Sequence, residues 1–447
     1  MALPSHTLPS PIDAAGVPEV INHTPWPSQY FQHVDPHGDI FHVVVTRISY
    51  SLLQLQEKNG RMEPVLLPPE QQLPLCQADQ FLGEVNETSL LQESDYAPYK
   101  PRCDVLLVNA TAHSPEGTPL ARWPVGFRFG SAIEKTFHVT GPRRFARSVA
   151  ALGMLQLTDP EPTTRVRLRY ETAFGGPNVI RQENALQACA DGELDGGMPD
   201  ASRQFARKAH SQLPALYPAN PIGCGRLPDA VVQANEALDR LRREGASLAS
   251  PPITDASMSD AERPAPQIEA FNRPYTGQDD YPVVGVGPVG RWWSPRVALA
   301  GTHDERWKQT QWPKSPLDHD YRYWNCAPED QQIDYPQGGE EVVLVHFTAA
   351  ARHKGPYRFT LPRQDLQLLV RLKVGVLMFA PMHIDTVILD LEAGTLSIVR
   401  RAVVSAKTDV RQLELGTWPA GTGMQLDEAM QQAAQVTQKT RGAGHGQ

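Results

Sequence analysis

Alternation of apolar and charged positions is the clearest local signal in the chain. Across residues 164–171, Val166, Leu168 and Tyr170 fall on one side of an extended backbone, and Arg165, Arg167, Arg169 and Glu171 on the other. That is the period of a strand buried on one face. Val125, Phe127 and Phe129 alternate likewise, as do Ile48, Tyr50 and Leu52 beyond the β-rich run 41–45. In the last third, Tyr357, Phe359 and Leu361 alternate ahead of Pro362, and Leu366, Leu368, Val370, Leu372 and Val374 form a longer series. Residues 386–391 and 396–404, separated by Glu392-Ala-Gly-Thr395, predict a hairpin.

One segment breaks this pattern. Residues 229–245 place Val231, Ala234, Leu238 and Leu241 at helical spacing, with Asp229 as N-cap and Gly245 as stop. A second short helix is expected from Met424, through Leu426, Met430, Ala433 and Val436. The expected fold is mainly β, with two β-rich regions packed as one unit and a helical and loop elaboration in the middle. Its parts are an N-terminal arm (1–30), a first β-rich region (31–180) and an insertion with one helix and a Pro/Ser-rich loop (181–275). A second β-rich region (276–404) and a partly disordered C-terminal tail (405–447) complete the chain.

Composition narrows the function classes. With 41 prolines and 33 glycines in 447 residues, turns punctuate the chain and long helices cannot dominate. The 42 basic and 50 acidic residues give a net charge of −8, which argues against a nucleic-acid binder, since that needs a basic surplus to displace counterions. The most apolar run, 374–382, is shorter than a bilayer span and is broken by Gly375 and Pro381, so no membrane is expected. The five cysteines are scattered with no CxxC pair, which leaves no zinc ribbon or dithiol redox motif. The first residues carry neither a basic region nor an apolar core of a signal peptide, so the expected compartment is the cytoplasm.

Three patterns invite a chemical reading. Gly285-Val-Gly-Pro-Val-Gly290 fits GxGxxG, but Pro288 and the following Arg291-Trp-Trp-Ser-Pro295 do not open a helix, so a Gly/Pro turn is expected and no cofactor. His33, His37 and His42 lie near Asp35 and Asp39, yet a polar turn leading into a strand explains them, and no metal is expected. Asp304, Asp318 and Asp320 are the place to look for a hydrolase, because paired carboxylates serve as acid and base when their environments split their pKa values. The bland alternative is that they are solvated loop acids or pair with Arg306 and Arg322.

An ordered series of short motifs says more than any one of them. It runs Tyr99-Lys-Pro-Arg-Cys-Asp104, Tyr170-Glu-Thr-Ala-Phe-Gly-Gly176, Asn220-Pro-Ile-Gly-Cys-Gly225 and Gly301-Thr-His-Asp-Glu-Arg-Trp307. It continues through Asp320-Tyr-Arg-Tyr-Trp-Asn-Cys-Ala-Pro-Glu-Asp-Gln331 and Gly338-Gly-Glu340 to Asp385-Thr-Val-Ile-Leu-Asp390. In this order, from about position 20 to about 400, the chain resembles the bacterial family known as domain of unknown function 2169. It departs from that pattern at His303 (usually tyrosine), Glu329 (usually a second proline) and Arg400 (usually tryptophan), the last at the packing of the final strand.

The resemblance implies a non-enzymatic cytoplasmic adaptor or chaperone of type VI secretion. Such a protein loads a toxic effector onto the spike, at its trimeric tip protein or PAAR-type cap. It brings no catalytic residues, cofactor or metal. Loops on a rigid sheet are where recognition resides. Trp292, Trp293, Asp304, Trp307, Asp320, Tyr323, Trp324 and Asn325 are therefore the candidate interaction residues, the aromatic ones as anchors where exposed and as core where not. The rival readings are a hydrolase of the acidic loops and a structural component secreted with the spike.

Overall fold

The computed structural model describes residues 16–148, 154–176, 217–226 and 263–418, apart from 278–279, 295, 350–352 and 354. Within them the protein is mainly β. The helices expected at 229–245 and from Met424 lie outside the described residues.

A seven-stranded sheet forms the centre. Its order is Gln332–Ile333, Cys103–Val108, His383–Asp390, Thr395–Ser405 and Ile40–Lys58, with Ser28–Val34 and Arg61–Leu66 both on the far side of Ile40–Lys58. The hairpin expected near 386–404 is there, as His383–Asp390 and Thr395–Ser405. Cys103–Val108 lies parallel to its first strand, with Asp104 opposite Thr386 and Val108 opposite Asp390. The two β-rich regions therefore share this sheet. Ile40–Lys58 is buried on both faces along its middle: Val44, Ile48 and Tyr50 enter the main core, while Val45 packs with Leu75 and Val399 on the opposite face.

The main core lies between that sheet and two others. One has five strands in the order Ile268–Ala270, Ile133–Thr140, Arg122–Phe129, Glu341–Val345 and Tyr357–Thr360. The other orders Glu19–Asn22, Val410–Gly416, Gln367–Leu372 and Leu377–Pro381. Trp123, Val125, Phe127 and Phe129 point inward at alternate positions, against residues such as Val342, Leu368 and Leu413. A smaller aromatic cluster of Phe145, Phe174, Tyr275 and Tyr281 lies apart from this core.

Several elements differ from the pattern-based expectation. The alternation at 164–171 holds for burial, but only Arg165–Arg167 is a regular strand, and Tyr170–Thr172 turns into a 3-10 helix. Val374 leaves its series: Gln367–Leu372 ends at a turn and Val374 is exposed. Arg400, where the resemblance implies a tryptophan, is buried mid-strand and donates to the Met382 carbonyl (3.3 Å), with Thr395–Ser405 paired on both sides. Val410–Gly416 is a core strand that pairs in parallel with Glu19–Asn22, Glu19 opposite Gln412 and Asn22 opposite Leu415. The start and end of the described chain thus close one sheet.

If 410–416 is core, Leu413→Ala leaves a cavity and costs about 2–5 kcal/mol in a denaturant titration. A residue in a loose tail would shift stability by no more than about 0.5 kcal/mol.

Candidate interaction surface

The sequence motifs converge, and the point of convergence is the buried carboxylate of Asp104 at the start of Cys103–Val108. One oxygen accepts from Lys100 Nζ (2.8 Å) and the Cys326 amide (3.0 Å), the other from Asn325 Nδ2 (3.1 Å) and the Ala327 amide (3.1 Å). Asn325 Nδ2 also donates to the Arg102 carbonyl (2.8 Å), and Lys100 Nζ to Thr386 Oγ1 (2.9 Å). Three motifs, around 99–104, 320–331 and 385–390, thus meet at one charge. Burial alone would pull the Lys100 ammonium down, but Asp104, with Cys326, Asp385 and Glu93 nearby, holds it above the ordinary lysine range. A buried ion is tolerated only with such a complete set of partners.

Around this pair a layer of largely irregular chain, 285–335, is pinned along the strand Cys103–Val108: the Leu107 amide donates to the Val286 carbonyl (3.0 Å), and Cys326 and Ala327 pack with Leu106, Val108 and Ile388. Arg296 donates to both oxygens of Glu93 (2.5 and 3.2 Å) and to the carbonyls of Val289 and Tyr323. Arg401 reaches Asp385 (2.6 Å) and the Asp95 carbonyl (3.0 Å). Buried Gln331 donates to the carbonyls of Val105 (2.6 Å) and Val286 (3.0 Å) and accepts from Lys135 Nζ (2.8 Å). Lys135 also holds the Gly285 carbonyl and Asp330, and burial pulls its ammonium below the usual lysine range. The Gly285–Gly290 run is closely packed and bends at Val286–Gly287, without opening a helix. A Cβ on Gly285 would sit 2.5 Å from the Tyr170 ring, and one on Gly290 2.8 Å from Trp293.

Two other motifs pair with each other. Asn220 Nδ2 donates to the carbonyls of Tyr170 (2.8 Å) and Phe174 (3.0 Å), and Phe174–Gly175 lies parallel to Cys224–Gly225. Gly176, at φ +85°, passes the Gly223 carbonyl so closely that a Cβ would approach it to 2.0 Å, which is the physical need for glycine there.

The eight candidate interaction residues divide by exposure. Trp292 is 39% exposed, its indole N–H donating to Asn86 Oδ1 (2.9 Å). Tyr323 and Trp324 are half-buried, with Arg296 over the first ring and Arg291 over the second. Trp307 is half-buried on the short helix Glu305–Thr310 and donates to the Lys314 carbonyl (2.9 Å). Trp293 and Asn325 are buried, so they brace the layer and offer nothing to a partner. Exposed Tyr99 and half-buried Tyr321 stack edge-to-face, and His33 and His319 pack on Tyr321 in turn. Tyr99, Trp312 and Leu317 are further exposed apolar side chains that loop chemistry alone did not single out.

The acidic residues serve their own loops. Asp304 caps Glu305–Thr310 by accepting from the Trp307 amide (2.7 Å). Asp318 accepts from the amide and hydroxyl of Thr302, and these bonds hold its carboxyl below the usual range. Asp320 takes the Arg322 guanidinium and amide, with the same effect. A general acid needs a raised pKa, and Asp318 and Asp320 move the other way. Asp35 likewise accepts from the amides of His37 and Asp39, while His33 meets the Tyr321 hydroxyl and His42 that of Tyr30. Among the described residues no three His, Cys, Asp or Glu side chains converge as a metal-ligand group, and no helix is long and apolar enough to cross a membrane.

Asp104→Asn leaves the Lys100 ammonium buried without its counter-charge, and the expected loss is about 3–5 kcal/mol in chemical denaturation. The paired change Lys100→Met with Asp104→Leu removes both charges and recovers part of that loss. Recovery to no degree would mean that the backbone amides of Cys326 and Ala327, and not the ion pair, carry the stabilisation.

No curated protein and no solved structure matches this chain. A family model does, over residues 37–401, under the description of an uncharacterized protein conserved in bacteria, DUF2169. That span holds every motif of the series and both halves of the shared sheet, and the chain belongs to this bacterial family.

Proposed function

We propose that this protein is a non-enzymatic cytoplasmic adaptor that holds a secreted effector and delivers it to the spike of a type VI secretion system. The resemblance supplies the system. The observation that supports a binding role is the layer at 285–335, which carries aromatic side chains on an ionically pinned, buried support. Recognition by preformed loops avoids part of the ordering cost of association, and Trp and Tyr contribute most to binding when a partner desolvates them. The acidic loops offer a hydrolase less, because each carboxylate is engaged by its own turn. Release follows from differential affinity: a cargo held by this layer alone transfers once the spike adds contacts of its own.

Tagged protein expressed in its own bacterium, with the secretion system active, should recover a toxin-like cargo and a spike component near stoichiometry at moderate and high salt. Trp292→Ala should cut that recovery, by an affinity loss of roughly 2 kcal/mol or about thirtyfold, without a change in thermal unfolding. A monomer without partners would contradict the reading. So would the same protein in the secreted fraction at spike stoichiometry, which fits a structural component.

A further inference from the structure

The long strand Ile40–Lys58 is paired unevenly. On one side Thr395–Ser405 accompanies it only as far as Ser51, which faces Thr395. On the other side Arg61–Leu66 follows it to Lys58. Beyond Ser51 the first side has no strand partner among the described residues. The pairing shifts register between Ser51 and Leu55, and Leu53 stands 56% exposed beside the turn glycine Gly394. An unpaired strand edge is a template for another chain, and here Gln54, Gln56, Glu57 and Lys58 keep it from being indiscriminate.

A cleft of about 840 Å³ opens against this edge, walled by Leu52, Leu53, Leu55, Leu344, Phe347 and Tyr357. That is within the usual range for sites that take apolar groups. The Tyr357 hydroxyl donates to the Leu52 carbonyl and ties the five-stranded sheet to the strand at this point. One cation stands beside the cleft. Arg165 pairs in register with His113, a lining residue, so the two side chains share a face. Arg167 is neutralised by Glu392 (3.5 Å), whereas Arg165 is exposed and has no ion-pair partner among the described residues.

We propose that this edge and cleft dock an extended segment of a partner protein, added as a strand along 53–58. Alternate apolar side chains enter the cleft and an acidic side chain meets Arg165. An open backbone edge is what distinguishes this from a site for a free apolar molecule, since only a peptide satisfies a ladder of amides and carbonyls. The proposal deepens the adaptor reading and takes from it only that the occupant is a protein; its site is separate from the aromatic layer.

The test selects displayed random dodecapeptides on the purified full chain and measures a synthesised winner by fluorescence anisotropy. Selected sequences should alternate apolar residues and carry an acid. Leu53→Asp and Arg165→Glu, both at exposed positions and checked for unchanged thermal unfolding, should each weaken binding about tenfold. Methylating alternate peptide amides should abolish it, while Trp292→Ala should leave it intact, so this site and the aromatic layer fail separately. Peptides indifferent to Leu53→Asp and Arg165→Glu would overturn the proposal. Full binding by the methylated peptide with displacement by laurate would make the cleft a site for apolar ligands only. A dimer in sedimentation that Leu53→Asp dissociates would assign the edge to a second copy.

Discussion

The charge of Asp104 ties together distant parts of this molecule. It lies at the head of a strand whose remaining residues are apolar and buried, where an unpaired carboxylate would be prohibitively expensive. Four donors from two distant stretches of chain satisfy it. Those donors include the backbone of 326 and 327, so the same bonds that solvate the charge also anchor the irregular layer. Thr386, on the adjacent parallel strand, completes the link through Lys100. Sheet and layer are therefore coupled at this charge, and Gln331 adds a second tie at the Val105 carbonyl.

The coupling explains how a long segment with little regular structure keeps its shape. Between 285 and 335 buried side chains meet backbone carbonyls that no neighbouring strand pairs in a ladder: Gln331 takes that of Val286, Arg296 those of Val289 and Tyr323, and Lys135 that of Gly285. The cost of holding polar groups inside is offset only when each has its partner. What the layer gains is a fixed display of rings on its outer side, with Tyr323 and Trp324 clamped under guanidinium groups that also serve the ion pairs.

Much of the β framework was legible because burial on one face writes a period of two. Val125, Phe127 and Phe129, and Ile48, Tyr50 and Leu52, are all inward-facing. The chain's closure was not legible: Val410–Gly416 pairs with Glu19–Asn22 across nearly the whole length of the sequence, and such pairing leaves no local mark. Loop composition singled out residues that the fold gathers in one layer, but it does not separate exposed from buried ones, since Trp293 and Asn325 have the chemistry of anchors and the burial of braces. Lys100 and Asp104 carried a readable signal, a charge placed four residues from another at the mouth of an apolar run. Their role depends on Asn325 and Thr386, which only the fold brings within reach.

The central claim is that the aromatic layer, pre-positioned by the Asp104 hub, is the face a partner meets. Amide hydrogen exchange of the chain, free and in complex with whatever co-purifies with it, tests this directly. The account predicts new protection concentrated at 291–324 and around Tyr99. Protection confined to the outer face of the five-stranded sheet, with 291–324 exchanging as in the free protein, would contradict it.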